Sequence, residues 1–485
     1  MTISLQGRGM FEALRERDFR LLFVGQSISL VGSSITTIAL AFAVIDISSP
    51  HRYALDYGVV MAAGLVPLLA FLLVGGVWGD RLPRQWVMLV SDVVRFACQA
   101  VMAWLLVTHR ATIWELVVLQ FARGTAEAFF RPAQTGLVPQ TVSGERLQQA
   151  NALRGLSDSL GVTLGAALGG VLVAAIGSGW AIGLDSLSYL ASAGFLWGLR
   201  GLPPVVGRGE ALATAEAGLT AGVGDVGLAL RDAAAEPAGG FVRDLRDGWT
   251  EFRSRTWLWV MVAEAAVFHL LIIAPLMVLG PSVAEHGLGG PAAWGAILAA
   301  FGVGQIAGGA VGLRLEPARP LLLCGWLTLV EAPLFAFFAL GYGMAPLIAA
   351  AIFCGVSAAL VNVLWETTLQ EQIPPEALSR VSAFDLMGSL AFYPLGTVVV
   401  GPIAAVIGVA GSFAVACGAT VASGALQIVL PDIRRVRHRR VPATASGAAS
   451  TVGNAGMAGA ASTVSATSTI YTGLPVSSHS RYSAE

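Results

Sequence analysis

Apolar residues run along this chain in blocks longer than a soluble helix or strand requires. No charged residue occurs between Arg20 and Asp46, and none between Asp385 and Asp432. A bilayer crossing takes about 20 mostly apolar residues, and blocks of that kind predict transmembrane helices. They fall at about 21–46, 57–79, 86–107, 112–131, 157–177 and 180–199. After a polar stretch they resume at about 257–280, 292–313, 320–342 and 345–369. The run 385–432 is too long for one crossing and predicts two, broken near Gly408–Gly411. The pattern is six spans, a connection, and six more.

Composition agrees. The 485 residues are 55% hydrophobic and 12% charged, with mean hydropathy +0.72. A soluble domain carries roughly 25% charged residues, so this chain has too few to cover a water-facing surface. Polar loops and closed helices are what a bilayer permits, and the expectation is an all-α integral membrane protein. The net charge is −1, and every one of the 29 basic residues is arginine. Lysine chemistry, whether a Schiff base or a phosphate-loop lysine, is thereby excluded. Cys98, Cys324, Cys354 and Cys417 all sit in apolar runs, without the spacing of a metal or disulfide set. No cleavable signal peptide is expected, since a polar segment with Arg8, Arg15, Arg17 and Arg20 precedes a first run too long for a signal core.

Arginine placement fixes the expected orientation, because cytoplasmic loops carry the excess of positive charge. With the N-terminus inside, only Arg52 and Arg110 fall in outer loops, and only Arg95 and Arg123 within spans. Both termini are expected in the cytoplasm. The expected organisation is a cytoplasmic segment 1–20, a first bundle 21–200, a linker 201–255, a second bundle 256–430 and a disordered tail 431–485. Within the linker, Phe241, Leu245, Trp249 and Phe252 recur at helical spacing, predicting an amphipathic helix on the inner leaflet. Residues 209–240 are rich in Ala and Gly, and 442–485 in Ala, Ser, Thr and Gly. The arginine cluster at Arg434, Arg435, Arg437, Arg439 and Arg440 would favour anionic lipid.

The chain also matches itself. At a constant offset Glu145 meets Glu376, Leu147 meets Leu378, Ala152 meets Ala383, Gly124 meets Gly355, Gly165 meets Gly396 and Gly170 meets Gly401. The halves are therefore expected to be parallel repeats about an axis along the membrane normal. Such repeats hold a binding site at their interface near the midplane.

Several phrases carry a family resemblance. Residues 76–84 read G-V-W-G-D-R-L-P-R, similar to the loop signature of the major facilitator superfamily, with Gly76, Asp80, Arg81 and Arg84 in place. Residues 161–170 read G-V-T-L-G-A-A-L-G-G, similar to its antiporter signature, with Gly161, Gly165, Gly169 and Gly170 in place and Ala166 where that signature has proline. R-D-F-R-L-L at 17–22, F-R-P-A at 130–133, Q-A-N-A-L at 149–153 and L-D-S-L-S-Y-L at 184–190 resemble the branch of enterobactin-exporter and macrolide-efflux-like permeases. In the second half the loop signature decays to G-A-V-G-L-R at 309–314. The resemblance implies a twelve-helix fold in two halves, a central cavity lined by spans 1, 4, 7 and 10, and a gate at Asp80.

Ionisable groups inside spans are costly, which makes them the first functional suspects. Arg123 and Glu127 are four apart on span 4 and are expected to pair, as a substrate- or proton-responsive couple or as a structural tie to Asp80, Arg84, Asp92 and Arg95. Glu264 and His269 on span 7 are candidates for proton coupling; for His269 the alternative is one hydrogen bond to a nearby carbonyl. Asn362 and Glu366 on span 10 are cavity candidates, with Glu366 alternatively in the cytoplasmic gate. Glu331, mid-span on span 9, is expected to turn toward a helix partner. Gln26, Ser33 and Gln305 are expected to join helices, and the span-5 glycines to allow close helix approach.

No nucleotide loop, nuclease site, zinc site or nucleophile–base set appears, so no cofactor, metal, nucleic acid or enzymatic reaction is expected. The reading that follows is a monomeric secondary transporter in the plasma membrane, exporting a small amphipathic molecule by proton antiport. The alternatives are an uncoupled facilitator or importer of the same fold and, from another class, a non-transporting sensor or scaffold.

Overall fold

The computed structural model describes residues 12–143, 146–199, 240–312 and 314–438, and their regular structure is helical throughout. The first half comprises α1 (Arg17–Ile47), α2 (Tyr53–Arg81), α3 (Arg84–Val107), α4 (Ile113–Thr141), α5 (Leu147–Ile176) and α6 (Ser178–Trp197). A helix α7 (Gly240–Ser254) leads into the second half. There α8 runs from Thr256 to Leu288 through two π-helical turns. It is followed by α9 (Pro291–Gly312), α10 (Pro320–Leu340), α11 (Met344–Gln372), α12 (Pro375–Leu390) and α13 (Tyr393–Val429). Gly408, at φ 77° and ψ 166°, breaks α13 into two crossings, a conformation that a residue without Cβ adopts freely. Among the described residues, nine helical stretches are long and apolar enough to cross a membrane, and the one spanning Phe384–Val429 contains both crossings. The more charged α4 and the 20-residue α6 complete the twelve.

The self-match in the sequence is a repeat of contacts. A Cβ on Gly124 of α4 would overlap the carbonyl of Gly64 on α2, and one on Gly355 of α11 would overlap the carbonyl of Phe301 on α9. Gly165 of α5 lies against Val31 and Ser34 of α1, as Gly396 of α13 lies against Leu270 and Ala274 of α8. The third pair crosses between halves. Gly170 packs on Pro291 and Gly295 of α9, and Gly401 on Ala54 and Leu55 of α2. Small residues at such crossings let backbones approach where lipid supplies no hydrophobic drive.

Where the halves meet decides what the molecule encloses. At the end of the bundle holding Phe42, Tyr53, Tyr57, Trp294, Phe335 and Phe413, one core draws on both halves. At the other end the cores are separate. Phe19, Leu22, Met88, Phe130 and Leu196 form one within the first half, and Phe252, Leu258, Leu369 and Val381 another within the second. The bundle is thus sealed at one end and parted at the end bearing the start of α1. Large apolar side chains such as Trp104, Trp114, Trp180, Leu340, Phe353 and Val406 are exposed on the outer surface, as a lipid-facing belt requires. Of the amphipathic linker helix, Trp249 and Phe252 stack on each other and meet Phe384 of α12 at tilted angles; the side chains of Phe241 and Leu245 lie outside the described residues.

Candidate functional site

A cavity of about 620 Å³ opens within the first half. All its lining residues come from the first half, on α1 to α5. Its walls mix apolar surface (Phe19, Phe23, Leu30, Leu65) with hydroxyls and amides (Ser33, Thr37, Gln120, Gln134) and six charged side chains. Those six are Arg95, Arg123, Glu127, Arg131, Arg154 and Asp158. A volume of this size suits a drug-sized molecule.

The charges are wired across helices. Arg95 Nη1 donates to Glu127 Oε2 at 2.7 Å, and its Nη2 to Asp92 Oδ1 on its own helix. Arg131 Nε donates to the other Glu127 oxygen at 2.9 Å. Ser192 of α6 donates to Asp92 Oδ2 at 2.7 Å and accepts from Gln26 of α1, which accepts in turn from Gln134 of α4. Asp92 and Arg95 are 0% and 3% exposed, and the guanidinium is sandwiched by Phe130 at 3.8 Å and Tyr189 at 4.7 Å. This corrects the expected Arg123–Glu127 pair. Glu127 is taken by Arg95 and Arg131, and Arg123 Nε instead donates to Gln120 Oε1 at 2.6 Å. The i,i+4 spacing puts two side chains within reach, but Arg131 has the same spacing from Glu127, and a third arginine arrives from α3.

A second cluster was not singled out from the sequence. Asp185 of α6, 0% exposed, accepts from Thr36 Oγ1 at 2.6 Å, Gln99 Nε2 at 2.8 Å and Ser188 Oγ at 3.1 Å. It joins α1, α3 and α6 with no direct ion pair among the described residues, the Arg123 charge lying nearby, and Thr36 extends it to the cavity wall. The signal was available, since an aspartate inside an apolar span is rare enough to inspect.

In the second half, Glu264, His269 and Glu331 make no ion pair among the described residues. Glu264 Oε1 accepts from Ser423 and Gln427 of α13, away from the cavity lining. His269 Nδ1 lies 2.8 Å from the Ala265 carbonyl, at the start of the first π turn, and its ring meets Tyr393 edge-on at 5.6 Å. Glu331 finds its helix partner in Ser357 of α11, 3.0 Å from its Oε1. Asn362 and Glu366 are exposed on α11 and do not line the cavity. Among the described residues no group of His, Cys, Asp and Glu is arranged to hold a metal ion.

Comparison with known proteins places this architecture. The profile described as Major Facilitator Superfamily matches residues 22–388. The chain belongs to the major facilitator superfamily. The enterobactin exporter EntS of Escherichia coli O6:K15:H31 is 26% identical over 442 residues, covering 88% of this chain and 95% of the relative. The EntS of Shigella flexneri is 25% identical over 440 residues with the same coverage. Among solved structures, the xylose transporter XylE from E. coli in an inward-open conformation superimposes with a TM-score of 0.59 at 11% identity, covering 87% of this chain and 96% of XylE. That likeness shows the shared fold.

The superfamily signatures can be located on it. The side chains of Asp80 and Arg81, like that of every residue from 72 to 81 (Gly76 included), lie outside the described residues. Arg84, which follows them, donates to the Gly136 carbonyl of α4 and so ties the loop between α2 and α3 to that helix. Of the antiporter glycines, Gly161, Gly165 and Gly169 lie along α1 against Leu30, Ser34 and Ile35, while Gly170 faces the other half. Ala166, standing where the signature has proline, leaves the α5 hydrogen-bond ladder intact and presents its carbonyl to Gly295.

Proposed function

We propose that this superfamily transporter is a secondary active exporter of a small amphipathic molecule, such as a drug, siderophore or secondary metabolite. It works by alternating access with proton antiport, as a plasma-membrane monomer with both termini in the cytoplasm. The observation that carries this reading is the cavity. It is walled by the first half, in a bundle whose halves share a core at one end and have separate cores at the other, an arrangement that fits one state of a rocking two-half carrier. The arginine distribution supports a cytoplasmic open end. Direction rests on the likeness to enterobactin exporters. At the same end Arg319, Arg434, Arg435 and Arg437 converge around a shallow surface hollow, a fitting seat for anionic lipid headgroups.

For coupling, Glu264 is the favoured carboxylate, with Glu127 and His269 next. Its Oε2 is buried without a hydrogen-bond partner while Oε1 holds two, so one oxygen is free to carry a proton. An uncoupled facilitator is the second reading, favoured by Ala166 in the antiporter signature. Inverted membrane vesicles with and without the protein, given a panel of siderophores and antibiotics, test the proposal. Protein-dependent uptake that collapses with a protonophore supports antiport, and uptake that survives it supports the facilitator. Glu264→Gln should abolish uphill transport and spare substrate binding; unchanged pumping at every pH moves coupling elsewhere. Absence of flux for every compound overturns the transport reading.

A further inference from the structure

The direct ion pairs around the cavity leave one guanidinium over. Arg95 and Arg131 share the carboxylates of Asp92 and Glu127. Arg154 and Asp158, one helical turn apart on α5, offset each other. Arg123 makes no direct ion pair among the described residues, although Glu127 and Asp185 lie near enough to feel its charge. Its Nε is tied to Gln120, which aims the guanidinium, and its terminal nitrogens have no acceptor among the described residues. Space for the fork comes from α2, where Gly64 stands beneath it: even a Cβ there would be 3.7 Å from Arg123 Nη2.

Among the described residues the opposite half offers no internal counter-ion at this depth. Glu264 and Glu331 are engaged with Ser423, Gln427 and Ser357 inside their own bundle. Glu366 is on a facing helix, but at the wrong level. Arg123 is ten residues from the start of α4 and Glu366 is 22 from the start of α11. At about 1.5 Å per residue that separates them by about 18 Å along the bundle axis. An arginine near mid-span whose terminal nitrogens lack an acceptor is costly and is retained where a ligand or pathway uses it.

We infer that Arg123 is the counter-charge for an oxyanion on the transported molecule, so that the substrates are amphipathic acids, with a carboxylate or equivalent planar oxyanion joined to an apolar body. The guanidinium fork offers two parallel donors to such a group, and Phe23, Leu30 and Leu65 receive the apolar part. This inference rests on the transporter reading above and deepens it.

Benzoate, 1-naphthoate and decanoate, each set against its neutral amide, test it by calorimetric binding to the purified protein in neutral detergent. At least one acid should bind about tenfold or more tightly than its amide, the scale of a charge-assisted bidentate contact. Arg123→Gln should remove that difference without weakening the amide, and Arg123→Lys should restore part of it. Equal binding of acid and amide throughout the series, no binding of any acid, or a preference that survives Arg123→Gln overturns the inference. The comparison in the unaltered protein stands even if a variant fails to fold. Vesicle flux without acid preference defeats this inference alone, whereas acid preference without flux defeats the transport reading and leaves the anion site.

Discussion

Replacing Arg95 with methionine tests whether the wired triad of α3 and α4 holds the first half together. Arg95 is 3% exposed and bridges Asp92, which is fully buried, to Glu127, which is not. Without the guanidinium, Glu127 keeps Arg131, but Asp92 is left with the Ser192 hydroxyl alone. Breaking a buried pair on one side costs about 3–5 kcal/mol, because a charge remains uncompensated in low dielectric. Stacking on Phe130 and Tyr189 adds about 0.5–2 kcal/mol to what the arginine contributes. Arg95→Met should therefore lower unfolding free energy by at least about 3 kcal/mol, a factor of more than a hundred in the folded-to-unfolded ratio. Sodium dodecyl sulfate titration of the purified protein in mixed micelles, followed by loss of helicity, measures it. The double variant Asp92→Asn with Arg95→Met removes the stranded charge and should recover more than half of the loss. A single-variant cost below about 1 kcal/mol, or a double variant as unstable as the sum of both singles, would refute the argument.

Three further outcomes follow from the same geometry. Gly58→Val puts side-chain atoms into the Thr397 carbonyl at the sealed end and should separate the halves there, read as faster labelling of a cysteine placed at Tyr57. Burial works to raise the pKa of Glu16, but hydrogen bonds from the Ser143 backbone N–H and hydroxyl, with Arg146 at 3.1 Å, outweigh it and hold the carboxyl below the ordinary glutamate range. Its contribution is present above the unfolded-state pKa and is lost as pH falls through the lower folded-state value, so the stability gap between the parent and Glu16→Gln should close in acid, below about pH 4. Reporters fused after Arg208 or in the tail should read cytoplasm, and those beside Arg52 or Arg110 the outside; a tail reporter reading outside breaks the orientation.

The spans and their pairing were legible because hydrophobic length and glycine spacing are one-dimensional signals. The break at Gly408 was legible for the same reason, since a run without charge from Asp385 to Asp432 must turn somewhere. Partner choice was not. Glu127 has arginines four residues before and after it, and nothing along the chain says that Arg95, 32 positions away, takes one of its oxygens. Glu331 was expected to seek a helix partner, yet Ser357 could be named only once α10 and α11 were side by side. Asp185 was hidden in plain view, because its three donors come from two other helices and its own following turn.

The duplication explains why the cavity chemistry is one-sided. Carried by the offset that superimposes the glycines, Arg95 falls on Trp326, Asp92 on Leu323, Arg123 on Cys354, Glu127 on Ala358 and Asp185 on Ala416. Each of these five meets an uncharged residue in the second half, whereas Arg154 of the cavity wall falls on Asp385. The glycine contacts tolerate no such divergence, since any side chain at Gly124 or Gly355 would overlap a backbone carbonyl. Backbone proximity is thus shared by both halves and constrains both, whereas a buried charge needs a complete set of partners and vanishes as a group when one is lost. On the alternating-access reading proposed above, a two-half carrier built this way would rock as a near-symmetric frame while recognition stays with one half. Substitutions that alter substrate choice should then concentrate on α1, α2, α4 and α5, and those that alter the closing of the frame on the glycines that Gly170 and Gly401 represent.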